Sequence, residues 1–321
     1  MAAGDYRAPR WLPGGHLQTL YPYFALRRAP PPLRRERVDT PDGDFIDFDW
    51  LDGPEDAPLV VLFHGLEGCS RSHYATALLQ HLRTRAWRGV VAHFRGCSGE
   101  PNRLARAYHS GDADEIDWML RRLRRHGRSP MFAVGVSLGG NALLKWLSRE
   151  GAGAGALLDA AAAVSAPVDL MAAGHRLGRG FNRLYALHFL RTMKRKSLGK
   201  LARFPGLFHR ERIARARSLH AFDDAYTAPV HGFRDVGDYW TRASSKPELG
   251  RIGLPTLIVH AHNDPFLPGS HLPPRAALPD CVVCEITGGG GHAGFATGPF
   301  PGNLDWLPVR LLRHFSAFAQ R

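Results

Sequence analysis

The chain has 321 residues, 44% hydrophobic and 22% charged, ordinary values for a globular protein with a sizeable core in one large domain or two small ones. No stretch is long and apolar enough to span a bilayer; the closest, residues 151–168, is mostly alanine and glycine and is broken by Asp159 and Pro167. The net charge of +13 is localised, because residues 171–218 carry 13 Lys and Arg against one acid, Glu211.

The first 36 residues are rich in Pro and Arg (ALRRAPPPLRRER) and read as an extended arm with no apolar signal core. Residues 37–39 and 45–51 flank the turn Thr40-Pro41-Asp42-Gly43, a hairpin signal. Residues 58–63 form a continuous apolar strand that ends at His64-Gly65, and 72–85 read as a helix. A strand over 89–94 and a helix over 112–125 follow. Residues 131–134 read as a buried strand, and Leu138, Ala142 and Trp146 then recur at helical spacing. Another strand covers 161–165. The alternation stops from about 171 to 233, where basic helical patterns replace strands, and resumes with strands at 254–260 and 282–286 and a helix near 308–318. Strands alternating with helices predict a mostly parallel sheet of about eight strands covered on both faces. The division expected is an arm (1–36), a core in two parts (37–170 and 236–321), and between them a basic helical insertion (171–235). That insertion would sit over the C-terminal sheet edge as a lid.

Between the strand ending near Val134 and the helix from Leu138 lies Gly135-Val136-Ser137-Leu138-Gly139. Gly-x-Ser-x-Gly alone is weak evidence, since about one chain in six of this composition shows it by chance. Its position at a strand-to-helix turn carries more. A chain that turns so sharply strains the serine backbone, and glycines on either side remove side chains that would collide. The helix N-terminus then points at the hydroxyl. The bland alternative is a strand–loop–helix turn with an incidental serine.

A serine nucleophile needs a base, and the base needs an orienting acid. Both follow in the order acid, then histidine. Asp264 lies after the strand near Val259, and His292 lies in Gly288-Gly289-Gly290-Gly291-His292 after the last strand. Their bland readings are a turn aspartate before Pro265 and an exposed loop histidine. His260 and His262 compete for the base but precede the acid. The oxyanion that forms on attack needs two N–H donors, expected from Leu138 at the elbow and from Leu66 in FHGLEG (63–68). Four cysteines are few. Cys281 and Cys284 form a C-x-x-C without a second pair or histidines at ligand spacing, and read as small core residues. No metal or cofactor is expected.

The segments PRWLPGGHLQTLYP (9–22), LFHGLEG (62–68), RGCSG (95–99), AYHSGDADEIDW (107–118), GVSLGGN (135–141), FDDAYTAPVHGF (222–233) and HNDPFLP (262–268) together resemble the YheT-like family of α/β-hydrolases. The resemblance spans almost the full length. It implies the α/β-hydrolase fold, esterase or lipase activity on carboxylic esters, and a Ser-Asp-His triad falling on Ser137, Asp264 and His292. His16 and Gln18 lie in the family's N-terminal motif, with structural packing the expected role. Animal members carry an N-terminal membrane anchor; none is read here, and a cytoplasmic protein is the expectation. The readings carried forward are a serine hydrolase acting through an acyl-enzyme, an acyltransferase on the same triad, and a non-catalytic binding protein on the same fold. Expected partners are a small-molecule or lipid ester and, through the basic insertion, an anionic membrane surface; nucleic acid is not expected.

Overall fold

The computed structural model describes residues 6–26 and 28–319. Eight strands form one sheet: β1 (Arg34–Asp39), β2 (Phe45–Leu51), β3 (Leu59–Phe63), β4 (Arg88–Ala92), β5 (Met131–Val136), β6 (Ala160–Val164), β7 (Thr256–Ala261) and β8 (Val282–Thr287). Their order is β1-β2-β4-β3-β5-β6-β7-β8. β1 and β2 pair as an antiparallel hairpin and β2 runs antiparallel to β4, while every pairing from β4 to β8 is parallel.

The helices are α1 (Gly15–Ala25), α2 (His73–Thr84), α3 (Ala113–Arg124), α4 (Leu138–Glu150), α5 (Leu170–Leu177), α6 (Asn182–Leu201), α7 (Arg210–Arg215), α8 (Leu219–Phe222), α9 (Ala228–Val230), α10 (Val236–Ala243) and α11 (Trp306–Ser316). A π-turn, Asp223–Thr227, joins α8 to α9. The period-2 pattern of the strands decides the layering. On β3, Leu59, Val61 and Phe63 join a core cluster with Ile116 and Met119 of α3 and Leu143 and Trp146 of α4. Val60 and Leu62 point the other way, to a cluster with Leu78 and Leu82 of α2 and Leu311 and Phe315 of α11. The sheet is thus buried on both faces, which explains the continuous apolar runs in its central strands.

The segment read as an extended arm contains α1. Its Pro- and Arg-rich end at 26–36 dominates the composition, whereas the helix lies upstream of that run. Pro22 sits inside α1, and with no N–H it cannot bond the Gln18 carbonyl one turn back. Pro22 is buried, and the turn that precedes it is packed from outside by the loop around Gly291 and Gly294.

From β3 the chain crosses through α2 to β4 on one side, then through α3 to β5 on the other. The C-terminal ends of β3 and β5 therefore flank a topological switch point, where open α/β sheets leave a crevice. Helices α5 to α10 lie between β6 and β7 in the chain, and residues of α5, α6, α8 and α10 line a cavity at that crevice. Among the described residues no helix is long and apolar enough to cross a membrane.

Candidate active site

Ser137 stands at the crevice, between β5 and α4, with φ 54° and ψ −120°. An L-residue in this region is strained, and the surroundings impose it. A side chain at Gly135 would come within 2.6 Å of the Gly140 Cα, and one at Gly139 would overlap the Phe63 and His64 carbonyl oxygens. Both glycines are thus required by backbone packing against β3 and the start of α4.

His292 Nε2 accepts a hydrogen bond from Ser137 Oγ at 2.8 Å, and His292 Nδ1 donates to Asp264 Oδ2 at 2.9 Å. The ionised carboxylate can only accept, so Nδ1 holds the proton and Nε2 presents its lone pair to the hydroxyl. Asp264 is fully buried after β7, and its other oxygen accepts the Phe266 amide at 2.8 Å. The Phe266 ring stacks on the imidazole with centroids 4.0 Å apart. The arrangement can pass a proton from hydroxyl to imidazole while the carboxylate holds the ring.

The competing histidines sit elsewhere. His260 is buried in β7, its Nε2 donating to the Leu267 carbonyl at 2.5 Å, and burial lowers its pKa. Its Nε2 lies 3.7 Å from Asp264 Oδ2, beyond hydrogen-bond reach. His262 follows β7 on an exposed turn.

On the β3 side, the would-be Cβ of Gly65 lies 3.1 Å from Ser137 Cβ, so the loop 64–68 runs directly beside the serine. His64 fixes this loop: Nδ1 donates to the Gly65 carbonyl at 2.8 Å, and Nε2 accepts the Phe94 amide at 3.2 Å. Burial lowers its pKa to about 3, so it stays neutral. The Gly65 and Glu67 amides donate to the Tyr74 and Tyr108 hydroxyls, and the Gly68 amide to the Gly65 carbonyl. The Leu66 amide makes no hydrogen bond among the described residues. The Leu138 amide is in the first turn of α4, where amides lack intrahelical acceptors. Leu66 and Leu138 line the same cavity as Ser137, about 790 Å³ in volume, walled by Leu170, Leu177, Phe189, Met193, Phe222 and Phe266.

Gln18, expected from the sequence only to pack, and neighbours not singled out there hold the two loops by hydrogen bonds. Gln18, 3% exposed, accepts the Gly290 amide at 2.7 Å and Asn263 Nδ2 at 3.0 Å on one oxygen, and donates to the Leu12 carbonyl at 2.8 Å. It thereby ties the loop before Asp264 to the loop before His292. Asn263 returns a bond from the Gly291 amide at 3.1 Å. Thr19 Oγ1 accepts the His292 amide at 2.8 Å, and Ser165 Oγ accepts that of Ala293 at 3.0 Å. The sequence signals for this shell were the quoted motifs at 9–22, which holds Gln18 and Thr19, and at 262–268, which holds Asn263. His16 has a different place: Nδ1 meets the Tyr185 hydroxyl of α6 at 3.1 Å, which docks α1 on α6.

Also unforeseen is Glu67, whose carboxylate accepts the Tyr108 hydroxyl at 2.9 Å and pairs with Lys196 of α6 at 2.8 Å, tying the loop beside Ser137 to the helical cover. The four cysteines are free, and Cys281 and Cys284 are partly rather than fully buried because β8 is an edge strand. Among the described residues no group of three or more His, Cys, Asp or Glu side chains has metal-binding geometry.

The profile of the α/β hydrolase fold family matches residues 58–299. The Escherichia coli (strain K12) protein YheT, which carries a provisional esterase name, is 42% identical over 302 residues, covering 92% of this chain and 88% of its own. Human phospholipase ABHD3 is 28% identical over 321 residues, covering 97% of this chain and 77% of its own. Among solved structures, the Pyrococcus furiosus esterase Pf2001 superposes with a TM-score of 0.58 at 14% identity, over 98% of this chain and 97% of that one, a likeness of fold alone.

Proposed function

We propose a function from one premise: the chain belongs to the α/β-hydrolase fold family, in its YheT-like branch. It is a hydrolase of esters, and the reading taken here is a serine hydrolase of carboxylic esters. Ser137 attacks the ester carbonyl, and His292 Nε2 takes its proton and returns it to the leaving alcohol. Asp264 holds the ring and balances the charge that forms on it. The Leu66 and Leu138 amides face the developing oxyanion, each worth about 3 kcal/mol of barrier. Water, deprotonated by the same imidazole, then releases the acid and restores Ser137. The named relatives, an esterase and a phospholipase, support small-molecule or lipid esters as the substrate class. The apolar walls of the cavity suit an acyl chain.

The observation that carries this reading is the unbroken hydrogen-bonded chain from Ser137 Oγ through His292 to Asp264. Labelling with a fluorophosphonate tests it: the reagent is expected to modify Ser137 in the wild-type protein and to leave Ser137→Ala unmodified. A folded wild-type protein that neither labels nor turns over p-nitrophenyl butyrate would overturn it.

A further inference from the structure

We propose that the outer face formed by α1 and α6 docks on an anionic lipid surface, with α6 lying between that surface and the cavity. The proposal rests on the ester-hydrolase reading for its purpose, since it assigns where that site meets a lipid ester.

Nine large hydrophobic side chains are strongly exposed among the described residues, and five of them lie together on these two elements. Leu17 and Phe24 of α1, Phe181 just before α6, and Leu184 and Leu187 of α6 are each between 46% and 68% exposed. The two helices lie side by side and run the same way. His16 packs on Phe181 and Tyr185 near one end, and Tyr23 meets His188 at 3.4 Å near the other. Leu17 and Phe24 flank those contacts on α1, and Leu184 and Leu187 on α6, so the five form one patch. Single exposed apolar residues need no explanation, but a cluster of this kind does.

The charge says what covers it. Neither α1 nor α6 contains an acidic residue. Arg183 and Arg191 share the exposed stripe of α6 with Leu184 and Leu187, and Arg179 lies just upstream. None of the three arginines makes an ion pair or side-chain hydrogen bond among the described residues. Several other cations of the basic stretch are engaged, Lys196 with Glu67, Arg212 with Asp224, and Lys200 with the carbonyls of Leu104, Ala105 and Arg106; what marks Arg183 and Arg191 is that they share one stripe with the exposed leucines. Large apolar side chains rimmed by unpaired arginines match the interface of an anionic bilayer, where the former enter the acyl boundary and the latter meet headgroup phosphates. A second copy fits poorly, because a two-fold contact would set arginines of like charge against each other.

The helix is also placed to use the contact. Phe189, Met193 and Lys196 line the cavity, and at 3.6 residues per turn Leu184, Leu187 and Arg191 fall on the opposite side. One helix therefore has lipid on one face and the cavity on the other.

Flotation with phosphatidylcholine vesicles, with and without phosphatidylglycerol, tests the proposal, beside turnover of soluble p-nitrophenyl butyrate. Wild type is expected to float with the anionic vesicles and to be released by high salt. The Leu184→Ser/Leu187→Ser variant and the Arg183→Gln/Arg191→Gln variant are each expected to lose at least about tenfold in partitioning. Both should turn over the soluble ester within about twofold of wild type, which shows them folded. Ser137→Ala should lose turnover and float as wild type does, so failure of the hydrolase reading and failure of docking give different results. Wild type that does not float, or variants that float unchanged, would overturn the proposal. So would a wild-type dimer that the leucine variant turns into a monomer with no vesicle binding in either.

Discussion

Replacing Gln18 separates a residue that fills space from one that holds the Asp264 and His292 loops. Gln18→Met keeps length and volume but removes three hydrogen bonds, to the Gly290 amide, to Asn263 and to the Leu12 carbonyl. Asn263 is partly exposed and can be rehydrated, whereas the Gly290 amide and the Leu12 carbonyl are buried beside Gln18. Each buried group left unpaired costs about 1–3 kcal/mol, so the variant should lose roughly 2–6 kcal/mol of stability. With an unfolding entropy near 2.1 cal/mol/K per residue, a chain of this size should drop about 3–9 °C in Tm. The effect on activity should be larger than that loss alone implies. The freed loop carries His292, and a misplacement of about 1 Å costs on the order of 100-fold in rate. Gln18 does not line the cavity, so kcat for p-nitrophenyl butyrate should fall about 100-fold with KM nearly unchanged, and the rate of fluorophosphonate labelling should fall with it. Gln18→Met and Asn263→Ala should be strongly non-additive, because both act on the same pair of loops. A folded Gln18→Met protein with wild-type kcat would refute the positioning role and leave only packing.

Three further outcomes are expected. Asp264→Asn should lower kcat by about 10⁴-fold while leaving the fold intact by circular dichroism, because the amide can donate to Nδ1 and reverse the tautomer; activity within tenfold of wild type would remove Asp264 from the mechanism. Gly139→Ala should fail to give soluble protein, whereas Gly153→Ala, where a side chain meets nothing within 4 Å, should behave as wild type. The third concerns pH and Asp223, which lines the cavity and accepts hydrogen bonds from Thr227 and Trp240. Burial pushes its carboxyl from 3.8 up to about 6, against the effect of those two bonds. The folded state thus disfavours the ionised form, so stability is greatest below the unfolded value and is lost as pH rises through about 6. Asp223→Asn cannot ionise, and its Tm relative to wild type should rise between pH 4 and pH 7.5; a difference that stays flat across that window would contradict the assignment.

Much of the architecture was open to a reading of the chain alone, since alternation along β3, the helical spacing of Leu138, Ala142 and Trp146, and the Gly-x-Ser-x-Gly turn are all local. Steric rules act over a few residues, and their traces stay adjacent in sequence. The candidates Ser137, Asp264 and His292 could be picked out for a related reason, as each follows a strand and the parallel sheet brings those strand ends to one edge. What the chain could not reveal depends on groups far apart that meet without any periodic mark. The preference for His292 over His260 rests on which imidazole reaches the hydroxyl, and β7 turns His260 to the Leu267 carbonyl instead. Gln18 bonds residues 245 and 272 positions away, and Lys196 reaches Glu67 across 129. The same holds for the segment read as an arm, whose helix packs on the histidine loop, and for the charge of residues 171–218. That charge was countable from the composition, but only the tertiary structure turned Lys196 and Lys200 inward to their partners and placed Arg183 and Arg191 beside the exposed Leu184 and Leu187 next to α1.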